Sequence, residues 1–595
     1  MPGLTTRAFG PAGPAADRWA RLYAALSALL ILGPLLGPGQ WLWRDAVTTP
    51  RPFLTDSALG LGDGAPRAVP QDWLLAGLGP VIDPGIVARI VTAAALTAAG
   101  WGAIALVRTF APPAGGVGVF AATTVALWNP FVGERLLQGH WSLLTGYAAL
   151  PWLLVAAHRM RSRRAAVRRA GWALTALAAA AAGLTPTGSV LAGIVAVTAA
   201  LCPGPRRLGR AAGTAGLWLL TAVPWLTAAV IGEAGATGAS GIDAFAARAE
   251  PALGTLGALA GLGGIWNGDA VPLTRTTVIG ALATAVLLVI VAAGAPALWR
   301  RRRDPLISLA AILAVLGVLG PALAATGPGL VVLEFVVDTV PGAGLLRDGQ
   351  KWVALAVPGY LLAVGFGAAR ITGALRDRYP GRVSVPAAGA TLCAVLLVLS
   401  ADLAWGVGGR LAPYRYPADW AEVSAQVSGE EGDVAVVPAG SFRRFPDLDP
   451  VALDPAPRML PAEVLQTGDL VVRMPEAGEV TVSGEGTRAA QVEQLLLAGA
   501  PPSALAARGV AWVLEEKTSP GPRGDSERTL AGAFPVFVGE DLALYRIADP
   551  APAPRATSAE RTAAHTAHGV WAAVLLLGAA GVAVTGRAVR RRAGA

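Results

Sequence analysis

Long runs of apolar residues, separated by short polar segments, dominate the first two thirds of the chain and return near its end. Most of these runs approach the ~20 residues that an α-helix needs to cross the hydrocarbon core of a bilayer, and they predict roughly twelve spans. Three of them, 115–130, 170–184 and 187–202, are short and are expected to tilt, break or extend into flanking loops. The predicted spans are 19–37, 86–107, 115–130, 141–157, 170–184, 187–202, 211–231, 276–299, 305–325, 351–369, 384–405 and 569–586.

The pattern changes near residue 406, where charged residues become more frequent. Strand-like runs at 433–438, 510–514 and 542–547 alternate with helical runs at 488–498 and 503–508. This alternation predicts a small α/β domain, and ~160 residues are enough for one core. The predicted parts are a multi-span membrane domain (1–405), an extracytoplasmic α/β domain (406–567), and a last span with a basic cytoplasmic tail (568–595).

Three connections between spans carry apolar segments of their own. Residues 70–84 suit a short helix lying in the membrane interface. Residues 327–350 are too interrupted to span comfortably and suggest an interfacial or re-entrant element that covers an outer cavity. Residues 232–274 form a Gly/Ala-rich outer loop with helical potential and no decisive motif.

Composition supports a membrane protein, because 54% of the residues are hydrophobic and 15% are charged, against about 25% charged residues in soluble domains. The apolar segment after the charged N-terminus has no small-residue cleavage site, so we expect an uncleaved first helix. The two cysteines, Cys202 and Cys393, form no pattern typical of a zinc site or a disulfide framework.

The net charge of +9 is explained by topology and predicts no nucleic-acid partner. With a cytoplasmic N-terminus, every long arginine cluster and the C-terminal tail fall on the inner side of the plasma membrane, as the positive-inside rule requires. These clusters also attract anionic lipid. They are Arg159–Arg169, Arg206–Arg210, Arg300–Arg303, Arg370–Arg382 and Arg587–Arg592.

The first outer loop, residues 38–84, is rich in carboxylates. A chain with so few charges has little reason to gather them between two spans unless something is bound or changed there, so the loop is predicted to be the working surface. The alternative is that they are ordinary solvated residues. The five carboxylates are Asp45, Asp56, Asp63, Asp72 and Asp83.

A second dense polar motif, WNPFVGERLLQGHW at 128–141, forms a tight outer turn between two spans. Ionisable groups at membrane depth are usually paired or functional. Glu134, Arg135 and His140 are therefore candidate site residues; in the alternative interpretation, Glu134 and Arg135 pair with other loops and fix the turn.

A third motif, LLRDGQKW at 345–352, lies at the outer end of a span. Arg347 and Lys351 are four residues apart and face one side if the segment is helical. Two cations beside the membrane surface suit a lipid phosphate or pyrophosphate. The alternative is interfacial snorkelling.

No Walker, Rossmann, GxSxG or HExxH motif occurs in a credible context, so ATP-driven transport and serine or zinc hydrolysis have no support. The centres of the spans are almost free of charge and show no clear repeat, which disfavours a secondary transporter. The chemistry is therefore expected at the outer surface.

With these motifs in place, the chain resembles GT-C-type integral membrane glycosyltransferases, in particular actinobacterial multi-span members. The resemblance rests on Trp43-Arg44-Asp45, on the segment 59–72, on the WNPFVGERLLQGHW turn and on the outer α/β domain. It implies an α-helical polytopic fold of about twelve spans and transfer of a sugar from a polyprenyl-phosphate donor to an envelope glycan or glycolipid, with inversion at the anomeric carbon.

Carried over to this chain, the resemblance makes Asp45 the general base that accepts the proton of the acceptor hydroxyl. A divalent metal stays an alternative cofactor, although many members have two adjacent acidic residues where this chain has Arg44 and Asp45; no metal ligand is predicted. The expected partners are the lipid-linked donor, the acceptor and membrane lipid. The residues expected to bind substrate are Arg67, Asp72, Glu134, Arg135, His140, Arg347 and Lys351.

Two other functions stay open from the sequence. One is a lipid or glycolipid transporter or flippase, which needs a polar path through the spans. The other is a non-catalytic envelope scaffold whose α/β domain binds glycan or partner proteins. Sugar transfer by the purified protein separates the first hypothesis from both.

Overall fold

The computed structural model describes residues 14–593 except 64–67, 233–240, 341, 447, 475–477 and 483–485. Each of the twelve predicted spans contains a helix in these ranges. The helices are α1 (Pro14–Leu32), α2 (Asp56–Leu59), α3 (Gln71–Leu78), α4 (Pro84–Phe110), α5 (Gly115–Leu127), α6 (Pro130–Leu137), α7 (Leu143–Met160), α8 (Ala165–Ala182), α9 (Pro186–Leu201), α10 (Arg207–Ile231), α11 (Gly254–Ala260), α12 (Val278–Arg300), α13 (Pro305–Ala324), α14 (Gly327–Thr339), α15 (Val357–Arg378), α16 (Val385–Val398), α17 (Ala404–Gly408), α18 (Asp419–Gln426), α19 (Ala456–Met459), α20 (Thr487–Leu497), α21 (Pro502–Ala506), α22 (Ser526–Ala531) and α23 (Ser558–Ala593).

Not all of the twelve predicted spans contain a helix that qualifies for crossing a bilayer by length and composition alone. Within the described residues, eight helices are long and apolar enough to cross a bilayer, and a ninth is obtained if α16 and the short helices after it, bent by 64°, count as one span. The runs at α7, α8 and α9 form helices of 18, 18 and 16 residues that do not meet this test. They pack inside the same bundle, so they need less apolar surface than a lipid-facing helix.

The α/β domain is built on a mixed five-stranded sheet of order β10-β11-β9-β3-β6, in which β3 pairs in parallel with β6 and β9. The predicted strands at 433–438, 510–514 and 542–547 are confirmed as β3, β9 and β11. The strands are β1 (Leu42–Trp43), β2 (Ala46–Val47), β3 (Asp433–Val437), β4 (Phe442–Arg443), β5 (Ala452–Leu453), β6 (Val464–Leu465), β7 (Leu470–Met474), β8 (Gly478–Val482), β9 (Val510–Glu516), β10 (Phe534–Val538) and β11 (Leu542–Arg546).

Both faces of this sheet are buried, as alternation along a strand requires. Val434 and Val436 of β3 pack on one face with Trp420 of α18. Ala435 and Val437 pack on the other face with α20 and α21. The limits 406 and 567 of this domain stay a prediction.

The first outer loop joins the membrane helices to the α/β domain through its carboxylates. Asp56 binds the guanidinium of Arg561 in α23, with oxygen–nitrogen distances of 2.6 and 2.8 Å. Asp63 accepts a hydrogen bond of 3.0 Å from the backbone of α20, and Asp72 lies 3.0 Å from Arg458. These three side chains fasten the loop to the domain.

A buried ion network fixes the position of β4 against the main sheet. The Arg443 guanidinium donates to Glu516 at 2.8 Å and lies 2.9 Å from Asp454, and none of the three side chains is more than 2% exposed. Removing one partner of a buried ion pair leaves an uncompensated charge.

We expect Arg443→Ala to destabilise the α/β domain by about 3–5 kcal/mol, the usual cost of breaking a buried pair. Hydrogen–deuterium exchange of β3 and β9 in the purified protein measures this loss. The control is Arg528→Ala, whose exposed pair with Asp525 at 3.0 Å should contribute less than about 1 kcal/mol. Unchanged protection of β3 and β9 in Arg443→Ala would contradict a stabilising role for the network.

Candidate active site

Asp45 sits at the tip of a two-residue hairpin between β1 and β2. The other residue of the turn, Arg44, has a φ of +50°, which an L residue adopts only when its surroundings hold it there. Two contacts supply this support: Trp43 donates its indole N–H to the Leu137 carbonyl at 2.6 Å, and the Arg44 carbonyl accepts from Leu453 at 2.8 Å. The hairpin is therefore anchored to both the membrane bundle and the α/β domain.

The WNPFVGERLLQGHW turn forms the surface against which the hairpin lies. Asn129 caps α6 by accepting from the Val132 amide at 3.1 Å, and Pro130 occupies the first turn of that helix. After α6, Gly139 adopts a φ of +85° and approaches the hairpin so closely that an added Cβ would lie 2.6 Å from the Trp43 carbonyl oxygen. Only glycine lets the backbones meet at this distance.

Asp45 is held by two side chains of this turn. Its carboxylate lies 2.9 Å from His140 Nε2 and accepts a bond of 3.1 Å from Gln138 Nε2. The other ring nitrogen of His140, Nδ1, lies 3.0 Å from the Arg135 guanidinium, which can only donate. Nδ1 therefore accepts, and the neutral imidazole carries its proton on Nε2 and donates it to Asp45.

Arg135 connects this pair to the start of a later helix. Its guanidinium binds Asp348 with two parallel hydrogen bonds of 2.6 and 3.0 Å, and it donates to Gln350 at 2.9 Å. With the bond to His140, all of its five N–H donors have acceptors in the buried site. A fully buried guanidinium requires this degree of pairing.

Glu134, the residue before Arg135 on α6, extends the network toward the loop at 250–265. Its carboxylate accepts from Gln350 at 2.8 Å and from the amides of Gly264 and Ile265 at 3.1 and 3.2 Å. Glu250 shares the Gly264 amide and pairs with Arg275. These contacts fix the outer loop 241–274 against the turn.

The exposed part of the network consists of three groups. Asp45, His140 and Lys351 expose 28%, 19% and 21% of their side chains, whereas Arg135 is fully buried. Lys351 Nζ lies 3.6 Å from Asp348. A carboxylate, an imidazole and an ammonium are therefore each partly exposed, next to a buried ion pair.

The electrostatics of the site keep Asp45 ionised. Burial raises the pKa of Asp45, but the hydrogen bonds from His140 and Gln138 and the nearby Lys351 ammonium outweigh it, so the pKa lies below its usual value. Burial and the charges of Lys351 and Arg135 lower the pKa of His140 more than Asp45 raises it. Both shifts agree with a carboxylate beside a neutral imidazole.

The predicted site residues fall into three groups. Asp45, Glu134, Arg135, His140 and Lys351 are brought together, and Arg347 precedes Asp348 in the same segment. Asp72 pairs with Arg458 and makes none of the contacts of Asp45. Arg67 lies outside the described residues. The functional roles assigned to all these residues stay predictions.

Several network residues were not predicted. Asp348 and Gln350 lie within the LLRDGQKW motif, where an acid between two cations was a usable signal. Glu250 and Arg275 had no such signal, because their partners lie in other loops. The role of Gln138 in the site is likewise evident only from its hydrogen bond to Asp45.

The donor set around Asp45 does not fit a metal ion. Among the residues that the structure describes, no three His, Cys, Asp or Glu side chains are placed to hold one. Both ring nitrogens of His140 are engaged, and Arg44 occupies the position next to Asp45. No step below therefore uses a metal.

We expect Gly139→Ala to push the hairpin away from the turn, because the added Cβ overlaps the backbone of Trp43 and Ala46. The melting temperature of the purified protein should fall clearly more than in the control Gly342→Ala, where φ is +83° and nothing lies within 4 Å of the Cβ. Both variants carry the strain of positive φ, so the difference between them measures the overlap. Equal melting temperatures would show that the hairpin does not depend on this approach.

The chain is similar to known proteins in its fold and not in its sequence. Neither a protein-family model nor a curated protein sequence matches the chain. The fold is similar to the cryo-EM structure of arabinofuranosyltransferase AftD from mycobacteria, with a TM-score of 0.55, 19% identity, and coverage of 92% of this chain and 40% of AftD. A mutant form of AftD gives a TM-score of 0.51, 18% identity, and coverage of 89% and 41%.

The chain thus spans about two fifths of the length of these structures. The shared part comprises the membrane helices and the α/β domain, since it includes nearly all of this chain. The resemblance inferred from the motifs is confirmed at the level of fold: the protein is a polytopic helical membrane protein with an α/β domain, and its fold is similar to that of AftD.

Proposed function

We propose that the protein is an inverting membrane glycosyltransferase that moves a sugar from a polyprenyl-phosphate donor to an envelope glycan or glycolipid on the outer face. The observation that carries the proposal is the state of Asp45, an accessible, ionised carboxylate held by a neutral histidine and an amide. The similarity to AftD suggests arabinofuranose as the first sugar to test.

Asp45 is suited to accept a proton from an acceptor hydroxyl. Its partners His140 and Gln138 both donate to one oxygen, Oδ2, which leaves Oδ1 able to accept the hydroxyl. A general base in this position typically accelerates transfer by about 10²–10⁴-fold. His140 and Gln138 are positioning residues that fix the direction of the carboxylate.

The departing phosphate needs positive charge or hydrogen-bond donors. Lys351 offers a partly exposed ammonium, and its positive charge contributes to lowering the pKa of the Asp45 carboxyl. Arg347, one residue before Asp348, is the second candidate. Asp348 holds Lys351 in place while its own charge is balanced by Arg135.

The reaction balances without a cofactor. The acceptor oxygen forms a bond to the anomeric carbon on the face opposite the leaving group, and the bond from that carbon to the phosphate oxygen breaks. The acceptor proton passes to Asp45 and then to solvent. The polyprenyl phosphate departs with the bonding electrons, stabilised by Lys351.

No specific observation supports the two alternative functions inferred from the sequence, a lipid transporter or flippase and an envelope scaffold. The polar network lies at the outer end of the bundle, on α6 and the 348–351 segment, rather than along a path through it. A scaffold needs no accessible ionised base above a buried ion pair. Both alternatives predict that no new glycosidic bond forms.

We expect Asp45→Asn to lower the rate of sugar transfer by about 10²–10⁴-fold, because the amide cannot accept the proton. The assay incubates purified protein with polyprenyl-phosphate arabinofuranose and a glycan acceptor, and detects the product by mass spectrometry. The control is Asp83→Asn, which changes a carboxylate of the same loop that caps α4 by accepting from Ile86 at 3.0 Å. Full activity of Asp45→Asn would remove Asp45 from the role of base.

As the pH is lowered, kcat/KM should respond to the protonation of His140 before it responds to the protonation of Asp45. The pKa of His140 lies below its usual value, so we expect a plateau at neutral pH that extends down to about 6.5 and a decline below it. Protonation removes the acceptor of the Arg135 bond, and Asp45 stays ionised until the pH falls below about 3.9. In His140→Gln the rate should be lower and the plateau should extend to more acidic pH. An acid limb centred above neutral pH would contradict this assignment.

A further inference from the structure

An apolar groove lies on the membrane-facing surface between α8, α10 and α23, with a volume of about 530 Å³. It has no part in the site around Asp45. Its walls combine glycines and alanines, one tryptophan ring, and the aliphatic side chains Leu217, Leu220, Val574 and Leu577. The residues that define it are Trp172, Ala173, Ala176, Gly213, Gly216 and Gly578.

The groove exists because glycine replaces larger residues on α10. Gly213 and Gly216, with Leu217 and Leu220, follow the spacing of one helical face. A Cβ on Gly213 would meet the Trp172 ring at 2.7 Å, whereas nothing lies within 4 Å of a Cβ on Gly216. The space in front of Gly216 is therefore unfilled by the protein.

Arginines lie near the ends of the two helices that line the groove. Arg168 and Arg169 precede Trp172 and Ala173 by four residues each, about 6 Å along α8. Arg206 immediately precedes α10 and stands seven residues before Gly213 in the chain. Across the described parts of the chain, no carboxylate lies within ion-pair distance of these three arginines.

We propose that this groove binds one anionic phospholipid, with an acyl chain along Gly216 and the headgroup phosphate at Arg168, Arg169 and Arg206. The charge pattern selects this occupant, because an apolar slot near guanidinium groups that have no carboxylate partner among the described residues matches a lipid chain below a phosphate. The positive-inside orientation places the site in the inner leaflet, at the opposite end of the bundle from Asp45.

The bound lipid would join α23 to the bundle. In the outer half of α23, Trp571 donates to the Ala180 carbonyl at 2.8 Å, and at its outer end Arg561 binds Asp56 of the first loop. In the inner half, Gly578 lines the groove and packs directly on α8, where an added Cβ would lie 2.6 Å from the Leu177 backbone nitrogen. A lipid in the groove would lie beside this contact and touch both α23 and α10.

The test is native mass spectrometry of the full-length protein in detergent, titrated with phosphatidylglycerol or with phosphatidylcholine of the same chains. We expect one phosphatidylglycerol to be retained at least tenfold more strongly than phosphatidylcholine. Gly216→Leu, which fills the groove, and the double variant Arg168→Gln/Arg169→Gln should each reduce this preference to below twofold. Neither variant touches the network around Asp45.

Matched controls separate a built site from general lipid contact. Gly320→Leu changes another glycine with nothing within 4 Å of its Cβ, and Arg302→Gln/Arg303→Gln removes two exposed arginines beyond the end of α12. Both controls should keep the preference. Equal retention of the two lipids by the unchanged protein would overturn the proposal. Equal losses in the variants and the controls would also overturn it.

Discussion

The Arg135 guanidinium, buried beneath the outer surface of the bundle, is the interaction on which the rest of the site depends. A buried charge is tolerated only when it is paired and its donors are satisfied. Asp348, Gln350 and His140 meet that requirement. Because Arg135 is fixed on α6, its three partners are fixed too, and the position of Asp45 follows from that of His140.

The first outer loop is held in place from two sides. The Gly139 backbone and the Leu137 carbonyl hold its hairpin against the bundle. Farther along the loop, Asp56, Asp63 and Asp72 bind α23, α20 and Arg458. The α/β domain therefore contributes to the geometry of Asp45 through the loop, without a side chain of its own in contact with that carboxylate in the described residues.

The sequence predicts those features of the protein that depend on residues close together in the chain. Hydropathy and strand–helix alternation are local properties, and the runs they identified are helices and a five-stranded sheet. Length and composition alone qualify fewer helices as spans than the twelve predicted, because helices packed inside the bundle, such as α9, are shorter or less apolar. Contacts are not local: Arg135 and Asp348 are separated by 213 residues and Asp45 and Gln138 by 93.

The same distinction explains the carboxylates of the first loop. Their density suggested that the loop is the working surface, yet Asp56 and Asp72 pair with arginines far along the chain and Asp83 caps α4. Asp45 differs from Asp56 and Asp72 in the neutral side chains that hold it, and no sequence pattern reveals a neutral partner. A charge cluster thus locates a surface, and only the contacts assign a role to each of its members.

The most direct measurement is a cryo-EM structure of the protein with a polyprenyl-phosphate sugar and an acceptor analogue bound. The account predicts the donor phosphate beside Lys351 and an acceptor hydroxyl within about 2.6–3.2 Å of the Asp45 carboxylate. A donor bound elsewhere on the bundle, with Asp45 facing open water, would contradict it.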